Sequence, residues 1–528
     1  MPTEQPPEHQ PDRSMRQPPP GPWPDAPAAE APPLEEADRS EERFLELRTR
    51  AAIDRSARGP VLLFFVTGVL WLLAGSLLAL IASIKLHTPG FLDDAAWLTF
   101  GRVRPAHLNT MIYGWASMAG IGLLFWLQAR LSRVNLPLKR LLVVACLVWN
   151  LAVLAGTLAI LFGESTSVEW LEFPPEVGWV LSGLFLIIFA ASVLTFLRRK
   201  AGHVYVSQWY IFAAVFWFPF LYVAAHIVIH GQFASGIALG TANWWFAHNV
   251  LGLWFTPIGL AAAYYFIPKV IGRPIHSYYL SILGFWTLAI FYNWAGTHHL
   301  IGGPIPIWMQ SVGVVASVMM FIPVITVAIN HHMTMVGHFS KLRWSPTLRF
   351  IVFGAMSYTL VSVQGSLTAL RTVQETTHFT HYTIAHAHLG VYAFATMILF
   401  GSMYYVMPRL TGQEWSSSAL IKVHFWTTAI GMVIYFVGLS IGGVIQGRMM
   451  LDPETAFGEV VVATLPWLWS RSTAGILLTI GHIVFAYLVF RMLYDWLRQV
   501  RSEEGPTLFG ALRRSGGAES SAASAGGQ

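Results

Sequence analysis

The stretch His378–His388, HFTHYTIAHAH, opens an apolar run that continues to about residue 408. A histidine inside such a run would lie within a bilayer, where an ionisable side chain is costly and is kept for a task. His386 and His388 stand two positions apart, and two residues of α-helix turn through roughly 200°. Their rings therefore project to opposite sides of one helix. A helix so equipped can ligate two separate haems, one on each side; the plainer alternative is a pair of hydrogen-bonded helix histidines.

The rest of the chain suits a membrane. Of its 528 residues 55% are hydrophobic and 11% charged, with a mean hydropathy of +0.53, whereas soluble domains carry about 25% charged residues. Apolar spans of crossing length fall near 60–85, 105–129, 139–163, 176–197, 208–232, 241–268, 277–300, 307–332, 346–372, 382–408, 421–446 and 472–496. None alternates as a barrel strand would, so the expected fold is an all-α integral membrane protein of about twelve transmembrane helices. Residues 56–500 would form this domain. Residues 1–55, rich at first in Pro, Glu, Gln and Asp, and 501–528, ending in Gly, Ser and Ala, read as disordered tails. No internal repeat is evident, which weakens a transporter reading.

The net charge of +6 sits in loops between spans rather than on one face of a soluble domain, which argues against a nucleic-acid partner. Basic groups occupy alternate loops: Arg130, Arg133, Lys139 and Arg140; Arg198, Arg199 and Lys200; Lys269 and Arg273; Lys341, Arg343 and Arg349. The loops between these have none after the third, fifth and seventh spans, so the positive-inside rule puts both termini in the cytoplasm. Cys146 is the one cysteine, which excludes internal disulfides, thiolate metal sites and a CxxCH haem attachment.

Further histidines join the first pair. His298 and His299 are adjacent in NWAGTHHL, and His248 lies one span earlier in WWFAHNVLG. Three neutral imidazoles suit a copper ion with an open position. His107, in GRVRPAHLN, would be the second axial ligand of a six-coordinate haem, and Arg104, one turn before it, would bring a cation to a haem propionate. A lone histidine at a membrane edge is more commonly a headgroup contact, so His107 gains weight only from the others.

On these stretches, with YYFIPK and RPIHSYYLS, the chain resembles the catalytic subunit of the C-family, cbb-type haem-copper cytochrome c oxidases over nearly all of residues 60–496. The resemblance implies a low-spin haem b on His107 and His388, a high-spin haem b on His386, and copper on His248, His298 and His299. Trp244, Arg104, His378 and Arg471 match positions around the haem propionates. It also implies a bacterial cytoplasmic membrane, membrane-anchored c-type cytochrome subunits as electron donors, O2 as substrate, and proton uptake with pumping.

In other oxidase families a redox-active tyrosine lies four residues after the first copper histidine; here that position is Gly252. In the C family it comes from the next helix, six residues before the His pair, where Tyr292 stands, and the resemblance implies a covalent link from Tyr292 to His248. Read alone, Tyr292 could be an interfacial-belt residue. Ser277, Tyr278, Ser281 and Tyr358 match the family's single proton path; read alone, such hydroxyls pack between helices. Two positions depart from the pattern. Gln364 stands before Gly365 where the family has Glu, and His381-Tyr382 replaces Asp-Trp, which puts proton-exit or partner contacts in doubt. Two rivals stay open: a nitric oxide reductase on the same scaffold, whose non-haem iron would want an added carboxylate, and a transporter with incidental histidines.

Overall fold

The computed structural model describes residues 36–504 of the chain. Its compact units are Met1–Thr49 and Arg50–Gln528. The described residues of the first unit, 36–49, are helical, although the sequence reads as a disordered tail to residue 55. From Glu36 the chain is rich in Glu, Leu and Arg, all strong helix formers. Residues 1–35 and 505–528, and the tails expected there, lie outside the described residues.

The long helices are α1 Glu36–His87, α2 Phe100–Ser132, α3 Lys139–Phe162, α4 Pro175–Leu197, α5 Val206–His230, α6 Gly236–Ile271, α7 Tyr278–Ala295, α8 Ile307–Met335, α9 Pro346–Thr368, α10 His381–Thr411, α11 Ser418–Leu451 and α12 Phe457–Glu504. Among the described residues, 11 helices are long and apolar enough to cross a membrane. The remaining one, α7, matches the expected span at 277–300 but is diluted by Tyr278, Tyr279 and Asn293. The chain is a multi-pass, all-α integral membrane protein. Cys146 is buried and free.

Three helices form the inside of the bundle. The most apolar windows of α2, α6 and α10 are 94%, 89% and 89% buried, against 44% for α3, whose Leu147, Leu151 and Leu158 point outward as a lipid-facing helix requires. Each inner helix contains a widened π-type turn, at Thr110–Ala116, Leu251–Phe255 and Leu389–Thr396. Each such turn begins within three residues of one of the histidines singled out above: His107, His248 and His388. Such turns free backbone groups locally and cluster at functional sites. Two tryptophans tie the three together: Trp115 Nε1–H donates to Thr396 Oγ1 at 3.1 Å and Trp254 Nε1–H to Ser117 Oγ at 3.1 Å.

The inner helices also reveal a repeat that the sequence reading did not find. After Ala247-His248, α6 continues to Tyr264-Tyr265, Pro268 and Lys269; after Ala387-His388, α10 continues at identical spacing to Tyr404-Tyr405, Pro408 and Arg409. Both helices then end on a glycine in the left-handed region, Gly272 (φ +75°) and Gly412 (φ +72°), whose N–H bonds the carbonyl of Pro268 or Pro408. At equal distance beyond, Ser277 and Ser417 cap α7 and α11 by accepting from the N–H of Leu280 and Leu420. The matching residues are few and widely spaced among unlike apolar neighbours, which is why hydropathy alone hides the repeat.

One buried ion pair clamps the end of α2 to α1. Arg130 Nη1 is 3.2 Å from Asp54 Oδ2, the two side chains 9% and 11% exposed, and Trp126 Nε1–H donates to Asp54 Oδ1 at 3.0 Å. Removing one partner of such a pair strands a buried charge. Asp54→Ala is expected to cost on the order of 3 kcal/mol. Asp495→Ala, at the exposed Arg491–Asp495 pair, should stay within about 0.5 kcal/mol. Thermal unfolding of the detergent-solubilised protein compares them; equal losses would refute the structural role given to Asp54.

Candidate functional site

The three histidines of the expected copper set converge. His248 from α6 and His298 and His299 from the short segment Gly296–Leu300 after α7 offer ligand nitrogens that all lie within 4.8 Å of one another. The tautomers follow from the hydrogen bonds. Ser317 gives its hydroxyl hydrogen to the Gly313 carbonyl at 2.7 Å, so its oxygen can only accept from His298 Nδ1–H, 2.7 Å away. His298 Nε2 is thereby left as a lone pair. His248 Nδ1 is buried without a hydrogen-bond partner, the state of a nitrogen shaped for a metal rather than for protein. Trp244, expected beside a propionate, stacks flat on His299, with ring centroids 4.2 Å apart at 15°.

Tyr292 sits against this group. Its ring stacks on His248 with centroids 4.4 Å apart at 24°. A Cβ placed on Gly252 would lie 1.8 Å from Tyr292 Cε1 and 1.9 Å from Cζ. Tyr292 therefore fills the space that a side chain at 252 would occupy. The glycine and the tyrosine are two halves of one exchange: the phenol comes from α7 because α6 has vacated the place.

The other three ligand candidates share one arrangement. His107 Nδ1–H donates to the Gly75 carbonyl at 2.9 Å, and His388 Nδ1–H to the Ile384 carbonyl at 2.9 Å. His386 Nδ1–H donates to Gln364 Oε1 at 3.2 Å. Every ring is held by Nδ1 and turns Nε2 away from that bond, the orientation in which imidazoles bind metals. These rings keep accessible surface although α2 and α10 are the most enclosed helices, so they border internal space. The ring of Tyr435 lies over His388, centroids 4.6 Å apart, and Arg471 lies 5.9 Å above Tyr435. Gly365 clears the face of His386: a Cβ there would meet Cε1 at 2.9 Å.

Some expected residues have protein partners. Arg104 pairs with Glu169 and, at 3.3 Å, with Glu172. Glu172 also accepts from Asn109 Nδ2–H at 2.8 Å, and the Glu169 carbonyl from Asn243 at 2.7 Å. The sequence reading missed both carboxylates because they lie in a loop, outside any span. Burial pushes the Glu172 carboxyl up to about 7, against the opposing pull of Asn109 and Arg104. His378 Nδ1 bonds Gln374 Oε1 at 2.7 Å, and Gln374 in turn donates to the His298 carbonyl at 3.3 Å. His381, a departure from the family pattern, opens α10 with its N–H on Gln446 Oε1 at 2.9 Å.

Of the expected proton-path residues, Ser281 is buried and accepts from Asn330 Nδ2 at 2.8 Å; Asn330 also takes the N–H of Ser277 and reaches Tyr264 OH at 3.4 Å. Asn330 and Tyr264 were not foreseen. Tyr358 is buried with an unpartnered hydroxyl. Tyr278 packs on Trp209 and is 37% exposed.

Residues 59–477 match the family model for cytochrome c and quinol oxidase polypeptide I. The chain belongs to the haem-copper oxidase family, as its catalytic subunit I. It is 31% identical over 445 residues, 81% of this chain and 93% of the other, to the cbb3-type cytochrome c oxidase subunit CcoN1 of Stutzerimonas stutzeri. It is 30% identical to the cytochrome c oxidase subunit 1 homolog of Agrobacterium tumefaciens, covering 83% and 84% of the two chains. A nitric oxide reductase polypeptide of S. stutzeri is 27% identical over 46% of this chain and 54% of its own. The fold matches that of a haem-copper terminal oxidase dimer solved by cryo-electron microscopy, with TM-score 0.63, 16% identity and 84% coverage of each chain. Family membership and the histidine cluster together establish redox chemistry at a membrane-embedded metal site.

Two outcomes follow. Gly252→Ala should displace Tyr292 and lower turnover at least tenfold while the histidine cluster still loads metal; unchanged turnover would contradict the exchange. Glu172, whose folded carboxyl holds its proton above the ordinary carboxylate range, makes the native state bind a proton that the unfolded chain has released. Stability should therefore fall as pH rises from about 4.5 to about 7. Thermal midpoints measured across that range should show a weaker fall in Glu172→Gln.

Proposed function

We propose that this chain is the catalytic subunit of a terminal respiratory oxidase that reduces O2 to water with electrons from cytochrome c. The observation that carries the reading is Tyr292, seated in the space of Gly252 and stacked on His248 beside the cluster His248, His298 and His299.

In this reading His107 and His388 hold a low-spin haem b, His386 a high-spin haem b, and His248, His298 and His299 a copper ion. When bound, these groups supply the electrons and the seat of O2 for a four-electron, four-proton reduction to two waters. The chain's own residues do the rest. His386 and His388, on one helix and opposite faces, keep the two haem positions close. Ser317, Gly75 and Ile384 fix the tautomers. Tyr292 presents an O–H at the cluster, able to give a proton and an electron together. Its ring and that of His248 are close enough for a cross-link between them. Arg104, Trp244, His378 and Arg471 flank the haem positions on the propionate side.

Protons would come from the cytoplasm by way of Ser277, Tyr278, Ser281 and Tyr358, with Asn330 and Tyr264 joining Ser281 to the interior, and pumping accompanies the chemistry. An apolar hollow lined by Trp245, Trp294, Gly296, Thr297 and Met309 reaches the segment that bears His298, a fitting approach for uncharged O2. A chain whose single cysteine is Cys146 carries no haem c of its own, so membrane-anchored c-type cytochrome subunits would deliver the electrons. The loop charges support both termini on the cytoplasmic side, and the family resemblance supports a bacterial inner membrane.

The reductase alternative would add a carboxylate to the metal. The cluster contains histidines alone, and a glutamate at 252 would collide with Tyr292. His298→Ala should abolish turnover and leave the low-spin haem spectrum intact; a variant that still turns over would sink the copper assignment.

A further inference from the structure

His482 on α12 has no part in the chemistry above, yet it is only 3% exposed, turned toward α1 and α10. Both its nitrogens are bonded. Ser76 gives its hydroxyl hydrogen to the Leu72 carbonyl at 2.6 Å, so its oxygen can only accept from His482 Nδ1–H, 2.6 Å away. The neutral ring then keeps a lone pair on Nε2, and the Tyr392 hydroxyl, 2.5 Å distant, donates to it. Both partners adjoin the proposed low-spin haem ligands. Ser76 follows Gly75, whose carbonyl holds His107, and Tyr392 lies one turn beyond His388.

We propose that His482 is a proton-binding site coupled to the oxidation state of the low-spin haem, taking up a proton at Nε2 when that haem gains an electron. This rests on the assignment of His107 and His388 to that haem. The electron comes from the donor that feeds the haem and the proton from the aqueous medium. The new Nε2–H bond points at the Tyr392 oxygen, whose own hydrogen rotates aside, and no other bond breaks. At an effective dielectric near 20, a unit charge changes proton affinity roughly tenfold at any separation on the order of 10 Å, the scale of neighbouring helices.

The surroundings suit such a site. The polar groups that face the ring are Ser76 from α1, Tyr392 from α10 and, more distantly, His424 from α11. Among the described residues, no carboxylate or cation is hydrogen-bonded to it. His424 Nδ1 bonds Tyr404 OH at 2.8 Å, and its Nε2 is buried without a partner. Tyr404 occupies in α10 the position that Tyr264, which bonds the Ser281–Asn330 pair, holds in α6. Phe400 stands between the two rings, with centroids 4.5 Å from His424 and 6.0 Å from His482. Farther along the α1–α12 seam, Ser83 and His87 both bond Ser472 at 2.8 Å. Polar groups thus approach His482 from two sides.

The test is a potentiometric titration of the low-spin haem in the purified complex over a range of pH. In the unaltered protein its midpoint potential should fall as pH rises, by about 59 mV in all, the equivalent of a tenfold affinity ratio for a one-electron couple. In His482→Asn, which can still donate to Ser76, the low-spin spectrum should persist and the fall should vanish. Tyr392→Phe, a second variant should the first fail to assemble, should move the fall to a different pH. The same fall in His482→Asn, or none in the unaltered protein, overturns the proposal while leaving the haem assignment in place. Absence of a low-spin haem overturns both.

Discussion

An imidazole enclosed in a bilayer has one nitrogen that donates and one that accepts, and the architecture of this protein turns on which is which. Here Nδ1 of His107, His388 and His386 donates to Gly75, Ile384 and Gln364, and Nδ1 of His298 to Ser317. Each of these bonds satisfies a costly polar group and at the same time aims Nε2 elsewhere. The helix positions needed for those acceptors then constrain α1, α8, α9 and α10. His248 is the exception, with its Nδ1 left bare. Its other neighbour is the ring of Tyr292, stacked on its face.

Much of this was legible in the sequence because the environment is apolar. His386 and His388 announce themselves by standing in a run of Ala, Leu, Val and Phe, and the angle between them follows from helix geometry. The tertiary exchange between Gly252 and Tyr292 was partly legible: the missing tyrosine on α6 and its substitute on α7 can be read, but the shared space appears only in three dimensions. Least legible were groups whose role depends on loops or on long-range packing. Glu169 and Glu172 sit in an irregular segment, and Arg104 pairs with both. The α6/α10 repeat escaped because its matching residues are few and far apart, and Asn330 because an amide in a span has no motif.

Gln364 is one of two places where the resemblance to the C family leads to the expectation of a different residue. It keeps the hydrogen bond to His386 Nδ1 but offers a neutral amide oxygen where the C-family pattern has a carboxylate. A neutral acceptor draws less on the Nδ1 proton, so the imidazole pushes less electron density toward a metal on Nε2.

The most direct measurement of the central claim is metal content together with turnover of the purified complex. An oxidase will contain copper near one per two haems b and consume oxygen when driven by reduced cytochrome c. Non-haem iron in place of copper, with NO consumed faster than O2, would contradict it and leave Tyr292 a bystander.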